Sequence, residues 1–330
     1  MDSSGRDRAF KALYLDGKEA AFRELTTNDL QDGDVLISVE YSSLNYKDGL
    51  AVTGKGKVVR KFPMIPGIDL AGTVIESSSA EYAPGDKVVA VGQGLGETRW
   101  GGYSQIQRVV SAALNHIPAP LEPLHAMAIG TAGFTAMLAL LALEKMNVRP
   151  GEREMIVTGA AGGLGSVAVI LLSQAGYKVA ASTGRPENHD YLRELGAQTI
   201  VERSALTEKT SPLAGERWAG GIDSVGGQTL ASIIASTVSF GAVAACGLAG
   251  GVDLPLTVFP FILRNVSLLG ISSPLAPKPL RDEAWSRIAR DLPLSKLEKI
   301  TRVEPMEKLP ELSSQILAGQ VRGRIAIATT

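Results

Sequence analysis

The stretch Thr158–Gly176, TGAAGGLGSVAVILLSQAG, limits what this chain can fold into more than any other. Before it, Glu154–Val157 is a short apolar run that follows Pro150-Gly151, the pattern of a buried strand. After the turn, Val167–Leu172 with Leu164 and Ala175 supplies the apolar surface of a buried helix. Between the two, Ala160, Gly162 and Gly165 fill the three places of a G-x-G-x-x-G pattern, with alanine in the first. A tight strand-to-helix turn needs a small first residue. The middle glycine lets the backbone approach a pyrophosphate, and the last lets the helix pack against the strand. The helix N-terminus then offers free N–H groups and a positive dipole end to phosphates. A glycine-rich turn alone also suits a purely structural corner, so its surroundings decide.

The next apolar run, Lys178–Ser182, ends where the adenosine ribose of a bound dinucleotide belongs, about 20 residues beyond the glycines. An acidic residue there would hold the 2′-hydroxyl of NAD, and the chain has Ser182-Thr183-Gly184-Arg185 instead. Hydroxyls and a guanidinium suit a 2′-phosphate, so the expected cofactor is NADPH. The alternative for Arg185 is a solvated loop cation.

Composition sets the outer limits. The chain has 330 residues, 45% hydrophobic and 20% charged, with a net charge of −1. That length allows two domains with sizeable cores. The charge offers no field for a nucleic acid or an anionic membrane surface, so neither is expected as a partner. No apolar run is expected to span a membrane, and the opening MDSSGRDRAF lacks the apolar centre of a leader peptide. Cys246 is the only cysteine, which excludes an intrachain disulfide and a cysteine-based metal site. A cytoplasmic location is the expectation that follows.

Along the chain, residues 10–16 and 35–41 alternate like half-exposed strands, and the second runs into Ser42–Asp48. Leu70–Glu76, Lys87–Val91 and Trp100–Val109 read as further strands, punctuated by Pro66-Gly67 and Pro84-Gly85-Asp86. Composition changes near residue 124, where Leu124–Met146 reads as one or two buried helices broken by Gly130 and Gly133. From residue 153 strands and helices alternate: strands at 154–158, 178–182, 198–202, 221–226, 241–246 and 266–271, helices at 163–175, 187–195 and 227–238. That alternation predicts a parallel sheet with helices on both faces. Helices at 281–291 and 307–318 follow, and Arg322–Ala328 is a strand expected to return to the first domain.

These features resemble the medium-chain dehydrogenase/reductase superfamily over nearly the whole chain. The runs SSLNYKDGLAVTGKGKVVRKFPMIPGIDLAGTV, WGGYSQ, GTAGFTAMLAL, WAGGIDSVGG, ACGLAGG and PFILRNVSLLGI are similar to the acryloyl-CoA reductase branch of its zinc-free, quinone-oxidoreductase-like group. The resemblance implies an α/β fold: a β-rich GroES-like catalytic domain plus a doubly wound Rossmann cofactor domain. The expected boundaries are 1–125 for the catalytic domain, 126–272 for the NADPH-binding domain and 273–330 for a segment that completes the first. It implies NADPH-dependent reduction of the α,β double bond of acryloyl-CoA to propanoyl-CoA. Two alternatives stay open: a quinone or 2-alkenal reductase on the same scaffold, and a non-catalytic NADPH-binding sensor. By analogy a homodimer is expected, joined through the apolar edge strand Val266–Ile271. Zinc-containing relatives carry Gly-His-Glu where this chain has Gly67-Ile68-Asp69, and no metal is expected. His116, His125 and His189 are scattered outside the motifs and read as surface or packing residues.

An enoyl-thioester reductase needs a hydride donor, groups that hold the carbonyl as enolate charge develops, and a proton for the α-carbon. Asn45 and Tyr46 are the expected catalytic residues. Tyr46 contacts the cofactor by resemblance and is a candidate acid, with interdomain packing as the equal alternative. Asp48 and Asp69 read as structural, in a turn or a charge pair. By the same resemblance Ala161, Gly162, Gly163 and Leu164 lie on the pyrophosphate turn, and Thr183, Gly184 and Arg185 hold the 2′-phosphate. Arg203 either reaches the adenosine end or is a surface cation, and Leu248 lines the nicotinamide ribose. Ile262 and Ser273 bracket the strand that passes the nicotinamide, and Gly319 and Arg324 lie on the closing segment. Thr131 and Thr135 either bond the nicotinamide side or bond their own helix. Lys55, Lys57, Arg60 and Lys61 read either as a landing site for coenzyme A phosphates or as a solvated loop, with Arg264 as a rival for the first role.

Overall fold

The structure is a computed structural model that describes residues 7–17 and 19–330; the reading of the opening decapeptide falls, for residues 1–6, outside the described residues. The strands are β1 (Ala9–Leu15), β2 (Ala20–Thr26), β3 (Val35–Ser43), β4 (Asp69–Ser77), β5 (Lys87–Val91), β6 (Ile106–Val109), β7 (Asn115–His116), β8 (Glu154–Val157), β9 (Val179–Thr183), β10 (Thr199–Glu202), β11 (Trp218–Asp223), β12 (Thr237–Ala245), β13 (Ser267–Gly270), β14 (Thr301–Pro305) and β15 (Arg324–Ala328). The helices are α1 (Tyr46–Thr53), α2 (Pro123–Lys145), α3 (Gly163–Gln174), α4 (His189–Leu195), α5 (Ser204–Thr207), α6 (Gly227–Ala235), α7 (Phe259–Arg264), α8 (Lys278–Asp291), α9 (Leu294–Ile300) and α10 (Leu309–Leu317).

Two compact units divide these elements. The first takes the chain up to Thr131 with Pro274–Trp285 and Thr301–Thr330; the second takes Ala132–Ser273 and Ser286–Ile300. Both differ from the boundaries read at 125/126 and 272/273. The change of composition near 124 marks the start of α2, but α2 is non-helical at Gly130, and residues before that break are bonded to β15 and β4. Likewise 286–300 leaves the expected return segment, because Arg287 pairs with Glu144 at 2.9 Å and Lys296 Nζ donates to the Leu195 carbonyl at 2.9 Å, both within the second unit.

In the first unit β14, β15, β3, β4, β5 and β7 form one sheet in that order, with β6 also paired to β3, while β1 and β2 form a separate antiparallel pair. The pleat of β3 sorts its side chains by parity. Val35, Ile37 and Val39 enter one cluster with Leu70, Val74, Val88 and Leu114. Leu36 enters another with Phe10, Leu13, Met64, Trp100 and Tyr103. Strand β15 pairs antiparallel with β3, as expected of a returning C-terminal strand.

The second unit is a six-stranded, all-parallel sheet in the order β10-β9-β8-β11-β12-β13. Counted within the unit this is 3-2-1-4-5-6, the doubly wound arrangement whose strand order reverses between its first and fourth strands. Its core holds Ile156, Ala180, Val201, Trp218, Ile233 and Val243.

Helix α2 corrects one expectation. It has 23 residues and is long and apolar enough to cross a membrane, contrary to the reading that no run is. Its apolar side chains, including Ala126, Met127, Ile129, Phe134, Met137, Leu140 and Leu143, are instead buried inside the protein.

Candidate active site

In the second unit the carboxyl ends of the strands carry the candidate cofactor residues. The turn after β8 begins at Gly159, whose φ of +56 favours glycine. A β-carbon at Gly165 would lie 2.3 Å from the Gly159 carbonyl, so only glycine lets α3 pack this close. At Gly162 a β-carbon would meet only that carbonyl, at 3.2 Å, and the space above is open for a ligand. Ser166 N–H makes the first bond of α3, to the Gly162 carbonyl at 2.9 Å. The amides of Gly163, Leu164 and Gly165 are therefore free of intrahelical partners and suit a pyrophosphate. Ala161–Leu164 are all partly open to solvent.

Beside this turn β9 ends in buried Ser182 and Thr183, with the Thr183 hydroxyl accepting Arg185 N–H at 3.2 Å. Arg203 N–H donates to the Thr183 carbonyl at 3.0 Å. A β-carbon at Gly184 would lie 3.0 Å from Arg203 Nε, so the guanidinium covers this glycine. Arg185 and Arg203 enter no ion pair among the described residues. Glu202, in register with Thr183 at the end of β10, lies 3.5 Å from His189 Nε2, and the two uncommitted guanidiniums fit a 2′-phosphate.

Past the switch point, Asp223 closes β11, accepting Thr158 Oγ1 at 2.6 Å and Gly226 N–H at 2.7 Å. Burial pushes its carboxyl up, against these hydrogen bonds. The following loop and the one after β12 interleave: Gly250 N–H donates to the Val225 carbonyl at 2.7 Å, and a β-carbon at Gly247 would lie 2.6 Å from the Ser224 carbonyl. Leu248 stands exposed on this edge. Ser273 is buried just beyond β13, and Thr135 is buried on the second half of α2. Ile262 is exposed on α7, two residues before Arg264, whose guanidinium bonds the Ala235 and Thr237 carbonyls at the amino end of β12. Arg264 also donates to the Ala214 carbonyl at 2.6 Å and approaches Glu216, so it is spent on structure.

The first unit contains a buried polar network that sequence reading recognised only in part. Tyr46 opens α1 and is 53% exposed. Asn45, before it, is buried, and its Nδ2 lies within 3.1 Å of Ser43 Oγ, Asp48 Oδ2 and Asp69 Oδ2. Its amide nitrogen is thus committed to these three oxygens. Asp48 accepts Asn45 N–H at 2.9 Å and Ile68 N–H at 2.9 Å. Burial and the neighbouring Asp69 charge push its carboxyl from the ordinary 3.8 up to about 7. The residue in the place of the zinc relatives' histidine is apolar Ile68, and among the described residues no three of His, Cys, Asp and Glu are grouped for a metal.

Asp69 and Arg324 meet at the break in α2. Gly130 has φ 51 and ψ −165, which ends one helical run and starts another. The second run begins at Thr131, whose N–H and Oγ1 donate to the Asp69 carboxylate at 2.8 and 2.5 Å. Ser43 Oγ donates to the same carboxylate at 2.6 Å. The first run ends in the Met127 and Ala128 carbonyls, which receive Arg324 Nη2 at 3.4 Å and Nε at 2.7 Å. An anion thus caps an N-terminus and a cation caps a C-terminus, each opposite the dipole end it favours. Thr131 thus bonds Asp69 through both its N–H and its hydroxyl, and Arg324 is buried, not solvent-facing. Gly319 lies in this unit too, exposed at φ +68, where its N–H caps α10 on the Ile316 carbonyl at 3.0 Å. The Asn45–Asp48 spacing, an Asx residue three before an acid, was the one local signal for α1. The partners of Asp69 lie too far away in sequence for any such signal.

A glycine turn at the switch point of a doubly wound sheet, joined in one chain to a β-rich unit, defines a medium-chain dehydrogenase/reductase. The model for the alcohol dehydrogenase GroES-like domain matches residues 31–119, and that for the zinc-binding dehydrogenase matches residues 163–290. Acrylyl-CoA reductase AcuI of Ruegeria pomeroyi is 51% identical over 325 residues, covering 96% of this chain and 98% of the relative. The crystal structure of Escherichia coli K-12 YhdH with bound NADPH is 46% identical, with a TM-score of 0.94 over 97% of this chain and 100% of that one. Bacillus subtilis yhfP, solved with NAD bound, is 40% identical, with a TM-score of 0.94 over 97% and 99% of the two chains. The chain belongs to the acryloyl-CoA reductase branch of the zinc-free, quinone-oxidoreductase-like medium-chain dehydrogenases/reductases.

Proposed function

We propose that this chain is an NADPH-dependent reductase that converts the α,β double bond of acryloyl-CoA to the saturated bond of propanoyl-CoA. The observation that carries the reading is the pair Arg185 and Arg203 around Gly184, where an NAD-specific relative needs a carboxylate. The near-full-length likeness to an acrylyl-CoA reductase supports the substrate.

NADPH, when bound, supplies the hydride. Every other task falls to the chain's own groups. The amides of Gly163, Leu164 and Gly165 bind the pyrophosphate, and Arg185 and Arg203 bind the 2′-phosphate. The Tyr46 hydroxyl, exposed on the first turn of α1, hydrogen-bonds the thioester carbonyl and supplies the proton that the α-carbon takes up. Asn45, Asp48 and Asp69 hold that turn in place, so the phenol is presented without a search for its orientation.

The same reading places the protein in the cytoplasm as a homodimer. The parallel sheet of the second unit ends in β13, an unpaired edge, with Leu263, Ile262, Phe259 and Val258 exposed just ahead of it.

The test is substrate-dependent consumption of reduced cofactor by the purified protein. Acryloyl-CoA should drive oxidation of NADPH far faster than of NADH. Turnover with a quinone or a 2-alkenal but not with acryloyl-CoA replaces the substrate assignment. NADPH binding without turnover of any of these leaves a sensor.

A further inference from the structure

We propose that the loop Gly54–Phe62 is the subsite for the phosphates of the substrate's coenzyme A moiety, a reading that rests on the thioester assignment above. Lys55, Lys57, Arg60 and Lys61 are all exposed, and none enters an ion pair among the described residues. The one acid bonded to this region, Glu97, is committed: its carboxylate pairs with Lys47 at 2.9 Å and its carbonyl accepts Arg60 N–H at 2.8 Å. Four like charges thus stand together without compensation in a chain of net charge −1. The C-terminal dipole of α1 accounts for a cation in the adjoining turn but not for a run of four.

The loop is also built rather than loose. Gly54, at φ 67, closes α1 with its N–H on the Ala51 carbonyl. Val58 is buried, and just past the loop Met64 exchanges backbone bonds with Leu15 at 2.8 and 2.9 Å. Beside the cations the Phe62 ring is half-exposed and offers an apolar face to a purine. The spacing fits a long thioester. Tyr46 starts α1 and the basic loop follows its end, so the eight residues of the helix separate reacting group from cations by about 12 Å. A pantetheine arm is the part of the substrate that spans such a gap. Arg264, the rival cation, is held by three carbonyls and Glu216.

The test compares acryloyl-CoA with acryloyl-pantetheine, which keeps the thioester and lacks the nucleotide phosphates, using the full chain with NADPH. In the wild type kcat/KM should favour acryloyl-CoA, and in K55Q/K57Q/R60Q/K61Q that preference should shrink by about tenfold or more. An unchanged preference overturns the subsite. A second measurement needs no turnover: binding of adenosine 3′,5′-bisphosphate, by calorimetry at saturating NADP⁺, should weaken by a similar factor in the variant. Equal binding by both proteins, or none by the wild type, overturns the subsite even in an active reductase. Binding by a wild type that does not reduce acryloyl-CoA keeps the subsite and removes the functional reading.

Discussion

At the scale of single residues, charge placement separates what was legible from what was not. Arg185 was readable because its signal is local: the strand end that needs an acid for NAD has none. Removing either guanidinium tests it. Arg185→Ala and Arg203→Ala should each raise KM for NADPH by about tenfold to a hundredfold, the range for a lost charge-assisted bond, and change KM for NADH much less. Asp48 was not readable, since its environment comes from Ile68, Asn45 and Asp69 across three elements. It carries a pH prediction. With its carboxyl raised from 3.8 to about 7, the folded chain holds a proton that the unfolded chain releases. Between those values the native state binds more protons, so this group's contribution to stability falls as pH rises and levels off above about 7. Asp69, Arg324 and Tyr103 face the same pocket and are present in both proteins. The Tm of the wild type relative to Asp48→Asn should therefore decline from about pH 4 to about pH 7. A constant difference across that range refutes the shifted carboxyl.

At the scale of elements, the apolar pattern found the six strands of the second unit and α3, α4 and α6 to within a few residues, and it passed over the short helices α5, α7 and α9. The misses have physical reasons. Strand β2, AAFRELT, has no alternation, as it lies half-exposed against β1 alone. Helix α1 was read as the tail of β3, because its helical start depends on the Asn45–Asp48 bond rather than on an apolar stripe. The break in α2 was marked by Gly130, but its capping by Asp69 and Arg324 was hidden. A β-carbon at Gly130 would lie 2.4 Å from Arg324 Nη2 and 2.8 Å from Asp69 Oδ2, at a positive φ. Gly130→Ala should therefore destabilise the protein by about 2–4 kcal/mol, read as a lower denaturant midpoint with unchanged m. Arg324→Leu, which strands the Asp69 charge among buried groups, should cost about 3–5 kcal/mol by the same measurement.

At the scale of the molecule, the parallel sheet and the return of β15 to the first unit followed from the sequence, whereas the place of 286–300 in the second unit did not. That segment is assigned by Arg287 and Lys296, single cations whose partners lie over a hundred residues away. Association is the prediction at this scale. If β13 is the dimer edge, Leu268→Lys should convert a dimer into a monomer by light scattering at micromolar concentration. A wild type that is already monomeric refutes the pairing.

The crossed caps at Gly130 also fix an order of events during synthesis. Arg324 leaves the ribosome 196 residues after the Ala128 carbonyl that it bonds, while the whole parallel sheet emerges in between. The nucleotide unit therefore meets its own partners early and can close on the nascent chain, whereas the β-rich unit waits with an open slot beside β3 until β15 arrives. Until then the pocket of Asp48 and Asp69 lacks the Arg324 guanidinium that completes it.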